Sequence, residues 1–161
     1  MMRRDQLEHA IRTACQIIEH PAVVMVGSPL ITTRPPRLAD LIEGIAGEWS
    51  SFEEQHGFSI DSVDLTTVVL SDGWRSRLIE VQNANTAAPG GPPRYTGWCL
   101  DKADLCVAKL CALREKDQNF VAALLDAGLA DSDGIASRLA SVPVEHRPAA
   151  ERALGWLTAR P

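Results

Sequence analysis

The sequence predicts an α+β fold: a small mixed sheet flanked by helices, followed by a helical C-terminal part. Three observations predict it. The chain opens on apolar residues at helical spacing, Leu7, Ile11, Ala14, Cys15 and Ile18. Short runs of β-branched and aromatic residues, punctuated by glycine and proline, fill the middle. Beyond Leu100 every apolar stretch returns to helical spacing. A chain of 161 residues suits one domain with a proper core, sheet-containing over 1–115 and helical over 116–161.

Hydrophobic residues make up 45% and charged residues 23%, the balance of a globular chain. A net charge of -5 argues against a general nucleic-acid binder, though not against a local basic groove. No apolar run is long enough to span a bilayer, so no membrane partner is expected. Met-Met-Arg-Arg-Asp-Gln leads into an amphipathic helix rather than a signal peptide, and the cytoplasm is the expected compartment. Cys15, Cys99, Cys106 and Cys111 form no Cys-x-x-Cys pair and lie among apolar residues, as buried reduced thiols do. His9, His20, His56 and His146 are scattered and spell no metal-ligand spacing.

In chain order, residues 5–19 read as a helix with Asp5 as cap or first-turn acid, stopped by His20-Pro21. Residues 22–26 read as a central strand buried on both faces, ending in Gly27-Ser28. Residues 30–33 suggest a brief strand broken by Arg34-Pro35-Pro36. Leu38, Leu41, Ile42 and Ile45 then space a helix, and a helical piece over 50–55 stops at Gly57. Strands are expected over 58–63, 66–70 and 77–81, and the proline- and glycine-rich stretch 83–94 reads as an irregular loop. Residues 96–100 form a strand leading into Leu105–Leu113. Eight of those nine residues are apolar; the ninth is Lys109. An amine in so apolar a helix must snorkel to water, find a carboxylate or face a bound anion. Lys116, seven residues on, falls on the Lys109 face if the helix continues. Helices over 117–127, 132–141 (capped by Asp131) and 145–158 complete the chain.

Three segments carry a resemblance: Val-Gly-Ser at 26–28, Gly-Trp-Arg-x-Arg-Leu at 73–78, and Gly-Trp-Cys-Leu through Arg-Glu-Lys-Asp at 97–117. Together they resemble the minimal nucleotidyltransferases of the abortive-infection and type IV toxin–antitoxin kind, the MenT-type toxins of mycobacteria among them. The resemblance reaches to about Leu129. It implies a polymerase-beta-like nucleotidyltransferase fold, a nucleoside triphosphate and tRNA as substrates, Mg²⁺ as cofactor and a cognate antitoxin protein as partner. It also implies roles for residues: Gly27 and Ser28 at the triphosphate, Lys109 on the nucleotide phosphates, and Arg114 and Asp117 in the polar cluster that follows. A fixed positive charge where water is scarce suits a triphosphate. Arg75, Arg77 and Arg94 are candidates for RNA phosphate contacts, and surface charge is the plainer reading of each.

One departure stands out. The acidic pair that holds metal in that family, Asp/Glu-x-Asp on the strand after the Gly-Ser turn, is missing between residues 22 and 52. Asp40 and Glu43 read more simply as a solvated helix face, and Asp61 and Asp64 would point to opposite faces of a regular strand. Two explanations are open: a chain that cannot hold metal normally, or residues omitted between Ser28 and Pro29. The second draws on the crossover that parallel neighbours of the 22–26 strand require. The expected function is addition of nucleotides to the 3′ end of tRNA, which blocks aminoacylation and translation. The alternative is a catalytically inactive nucleotidyltransferase-shaped protein acting through protein contacts. The Trp156–Leu157 end of the last helix is the expected antitoxin contact.

Overall fold

The computed structural model describes residues 2–27, 30–32 and 36–161. The fold is α+β, and the chain divides into two compact units: Met1–Thr67 with Leu78–Leu100, and Val68–Arg77 with Asp101–Pro161. The sheet-bearing unit thus ends at Leu100, not at residue 115, and the Lys109 helix belongs to the helical unit.

In the first unit, α1 (Arg4–Ile17) is followed by β1 (Ala22–Met25), β2 (Leu30–Thr32), α2 (Pro36–Ala46), α3 (Ser51–His56) and β3 (Ser62–Asp64). After an excursion of the chain come β4 (Ile79–Val81), the short β5 (Ala87–Ala88) and β6 (Gly91–Arg94), and β7 (Thr96–Cys99). The main sheet runs β3-β2-β1-β7-β4 and is mixed: β1 pairs parallel with β7 and antiparallel with β2, and β2 pairs parallel with β3. In the β1–β2 register Val24 pairs with Ile31 and Met25 with Leu30, and the two strands run antiparallel. The omission expected between Ser28 and Pro29 falls on residues that lie outside the described ones.

On β1 the side chains of Val23 and Met25 are buried while Ala22 and Val24 are half-buried, so one face, not both, meets the core. That core joins Ala10, Ile11, Ala14 and Cys15 of α1 to Val23, Met25, Ile42, Ile60 and Val81. Gly97 on β7 lets α1 lie close: a Cβ there would overlap Ile11 Cδ1 and fall 2.6 Å from Ile11 Cγ1. Glu8, buried on α1, accepts from Arg4 (2.7 Å), Asn83 Nδ2 (2.7 Å) and Asn85 Nδ2 (2.8 Å), pinning the 83–86 turn to the helix. The 83–94 stretch is therefore not a plain loop. Residues 84–86 form a 3-10 turn, and β5 and β6 pair antiparallel across Gly90, where φ is +88°. Residues 58–61 are not a strand, and 66–70 holds only the end of a 3-10 turn at Leu65–Thr67.

The second unit holds a 3-10 turn at Trp74–Arg77, then α4 (Lys102–Ala112), α5 (Glu115–Asp126), α6 (Ser132–Leu139) and α7 (Arg147–Thr158). Its core joins Cys106, Val107, Leu110 and Cys111 of α4 to Val121, Leu124, Ile135, Leu139, Ala153 and Leu157. Asp101 caps α4 by accepting from the Ala103 N–H (3.1 Å), and Asp131 caps α6 by accepting from Gly134 (2.6 Å). Leu113, at φ +54°, ends α4. Lys116 therefore starts a different helix and does not share the Lys109 face.

Candidate functional site

The helical unit contains two buried carboxylates, and each draws more than one cation. Asp117 sits in the first turn of α5 and is 1% exposed. Arg114 Nε donates to its Oδ2 at 2.6 Å, and Lys109 Nζ lies 3.6 Å from its Oδ1. The left-handed residue Leu113 makes this possible. It turns the chain sharply between α4 and α5, so that Lys109 in the last turn of one meets Asp117 in the first turn of the other. The lysine stem is largely covered, with its side chain 20% exposed, and its amine also stands 5.7 Å from the Phe120 ring centre. Arg114 remains 59% exposed. Of the three outcomes open to Lys109, the structure chooses a carboxylate. Two cations against one anion leave net positive charge beside an exposed guanidinium.

Asp104, on α4, is fully buried. Arg77 Nε donates to its Oδ2 at 2.7 Å and Arg77 Nη2 to its Oδ1 at 2.9 Å, while the buried Ser71 hydroxyl also donates to Oδ1. Arg138 Nε lies 3.7 Å from Oδ1 and is buried with no hydrogen-bond partner. Burial works to raise the Asp104 pKa. The hydrogen bonds from Arg77 and Ser71 and the charges of Arg77 and Arg138 outweigh it, and the carboxyl stays below its ordinary range. No run of residues announced this cluster, because Asp104 lies 33 residues from Ser71, 27 from Arg77 and farther still from Arg138.

The other expected site residues fall as follows. Gly27 lies two residues beyond β1 at φ +68° and is exposed; Ser28 lies outside the described residues. Arg75 is exposed and stacks its guanidinium 4.5 Å from the Trp74 ring centre. Arg77 commits its Nε and Nη2 to Asp104, Ser71 Oγ and the Asp72 carbonyl, so its role is internal to the fold rather than an open phosphate contact. Arg94 is exposed on β6. Leu157 is in the helical core and Trp156 packs beside it, 5.2 Å from the Arg160 guanidinium, so that helix end does not offer Leu157 to a partner.

All four cysteines are free. Burial pushes the Cys15 thiol up to about 12 and those of Cys106 and Cys111 up to about 11, which removes them as nucleophiles near neutrality. His9 and His56, read as scattered, come together with ring centres 4.4 Å apart between Phe52 and Phe58.

Among the described residues no three His, Cys, Asp or Glu side chains converge on a metal position. Asp104 and Asp117 are taken up by arginine and lysine, Glu43 accepts from Ser62 Oγ (2.6 Å), and Asp64 Oδ1 accepts from the Thr66 amide and hydroxyl. No family model, no curated protein and no solved structure matches the chain.

Proposed function

We propose that this chain is a nucleotidyltransferase-like toxin with a polymerase-beta-like fold, using a nucleoside triphosphate to extend the 3′ end of tRNA. The observation that carries the reading is the Lys109–Asp117–Arg114 cluster, which holds one ammonium in a largely covered position with surplus positive charge beside it. In the reaction, the acceptor 3′ hydroxyl oxygen attacks the α-phosphorus. The α–β phosphoanhydride bond breaks, pyrophosphate leaves, and the hydroxyl proton passes to solvent. Lys109 and Arg114 would bind the triphosphate and hold its charge, and Asp117 would fix the orientation of both. Arg75 and Arg94 would contact RNA phosphates. An extended tRNA end cannot be aminoacylated, so translation stops, and a cognate antitoxin would counter it.

A second reading has its own observation. Because the buried carboxylates are occupied by cations and no metal cluster is found among the described residues, a nucleotidyltransferase-shaped protein without catalysis is also favoured. One assay separates them. The purified chain is incubated with tRNA and each labelled nucleoside triphosphate, with and without Mg²⁺, and Lys109→Met is run beside it after its thermal melt has shown it folded. Label on tRNA that disappears with Lys109→Met supports transfer. No label with the natural chain and any of the four triphosphates supports the non-catalytic reading.

A further inference from the structure

The sheet-bearing unit carries exposed apolar residues along α2 and just beyond it. Leu41, Ile45 and Trp49 follow one another at four-residue intervals along α2 and its exit, and they are 42%, 49% and 93% exposed. Single exposed apolar residues are ordinary, but Leu41 and Ile45 share one face of α2 and Trp49 follows three residues beyond its end, so the three form an exposed apolar group on one short stretch of chain.

Two further features lie on the same stretch. Gly44 sits inside α2 where a Cβ would meet nothing within 4 Å. Glycine weakens a helix interior relative to alanine, and the fold itself gives no steric reason for it here. A bare backbone there lets another helix approach closely. Trp49 adopts φ +65°, a left-handed conformation rare for so bulky a side chain, and is held there while its backbone N–H donates to Glu53 Oε2 at 2.7 Å. Such strain, kept to display an almost fully exposed indole, fits an anchor for a partner.

Charge identifies the partner's chemistry. Between residues 37 and 54 the chain carries Asp40, Glu43, Glu48, Glu53 and Glu54 against Arg37 as the single Lys or Arg. An acidic rim repels nucleic acid and anionic membranes and complements lysine and arginine. We propose that the surface made by Leu41, Gly44 and Ile45 on α2 and by Trp49 just beyond it is the docking site for a basic amphipathic helix of a partner protein. The apolar side of that helix lies along these residues, and its cations pair with the Asp40 and Glu48 rim. The assignment stands independently of nucleotidyl transfer.

The test uses the full chain and a labelled synthetic helix of leucine and lysine at helical spacing, about 18 residues or five turns. Its counterpart has glutamate in place of lysine. Fluorescence anisotropy reads binding. The Leu/Lys helix should bind at least about tenfold more tightly than the Leu/Glu helix. Leu41→Ser/Ile45→Ser and Asp40→Lys/Glu48→Lys should each weaken it by about tenfold or more. Asp133→Lys/Glu145→Lys, with the same change in net charge on the helical unit, should leave it unchanged. Equal weakening by this control pair means attraction to net charge only and overturns the proposal, as does binding that survives Leu41→Ser/Ile45→Ser. A dimer of the natural chain by light scattering, lost in Leu41→Ser/Ile45→Ser, would assign the face to a second copy and overturn it as well.

Discussion

Lys109 and Asp117 lie on consecutive helices, and Lys109 Nζ stands 3.6 Å from Asp117 Oδ1 while Arg114 Nε takes Oδ2 at 2.6 Å. The pair is lopsided in exposure: the carboxylate is sealed and the arginine is open. Removing the acid should therefore hurt more than removing either cation. Asp117→Ala leaves a covered ammonium without its counter-charge and should cost about 2–3 kcal/mol. Arg114→Ala should cost under about 1 kcal/mol, since much of that pair is screened by water. Urea unfolding of the two variants checks the order; equal losses would mean that Asp117 is not what holds the α4–α5 turn.

Asp104 predicts how the helical unit responds to acid. Burial raises its pKa, but Arg77, Ser71 and the charge of Arg138 lower it further, so the folded value lies below the unfolded one near about 3.9. The stabilisation is therefore fully present above about pH 4–5 and is lost as pH falls through the folded value. Asp104→Asn should unfold more readily at pH 7 by roughly 3–5 kcal/mol and should lose part of the acid slope. Circular dichroism at 222 nm against pH, at a fixed urea concentration, measures both. Arg77→Lys keeps the charge but not the two-pronged contact, and should fall between the natural chain and Asp104→Asn.

His9 sets a milder dependence in the sheet-bearing unit. Burial, then the charges of Arg12 and His56, hold its pKa below the ordinary histidine value of about 6.5. The unfolded chain thus takes up a proton more readily than the folded one. Stability is full above about pH 6.5 and declines as pH falls below it toward the folded value. His9→Phe, placed among Phe52 and Phe58, should flatten that decline between about pH 7 and 5. An unchanged slope in that variant would show that another group titrates there.

Gly97 tests the contact between α1 and the sheet. Gly97→Ala drives a methyl into Ile11 and should cost about 1–3 kcal/mol. Ile11→Val removes the Cδ1 that the methyl overlaps, so the double variant should recover part of the loss. Thermal melts of the two single variants and the double variant give the coupling directly. Strict additivity would mean that the clash is relieved elsewhere.

Local signals in the chain determined the helices and their ends. Asp101 and Asp131 cap because a short acceptor side chain ahead of an apolar period can reach only its own first turn. The apolar neighbours of Lys109 narrowed its amine to water, a carboxylate or a bound anion without choosing among them. What chain order could not express was partnership. Which acid meets Lys109 depended on Leu113 entering the left-handed region and splitting one expected helical face into two helices. Arg77 lies 27 residues from Asp104 and His9 lies 47 residues from His56, and no periodicity links such pairs. The antiparallel pairing of β1 with β2 and the β5–β6 hairpin within a proline-rich stretch were likewise decided by which backbone groups found partners in three dimensions. Propensity and capping act within a turn or two of chain, whereas strand pairing and buried charge are settled only when distant segments exclude water together.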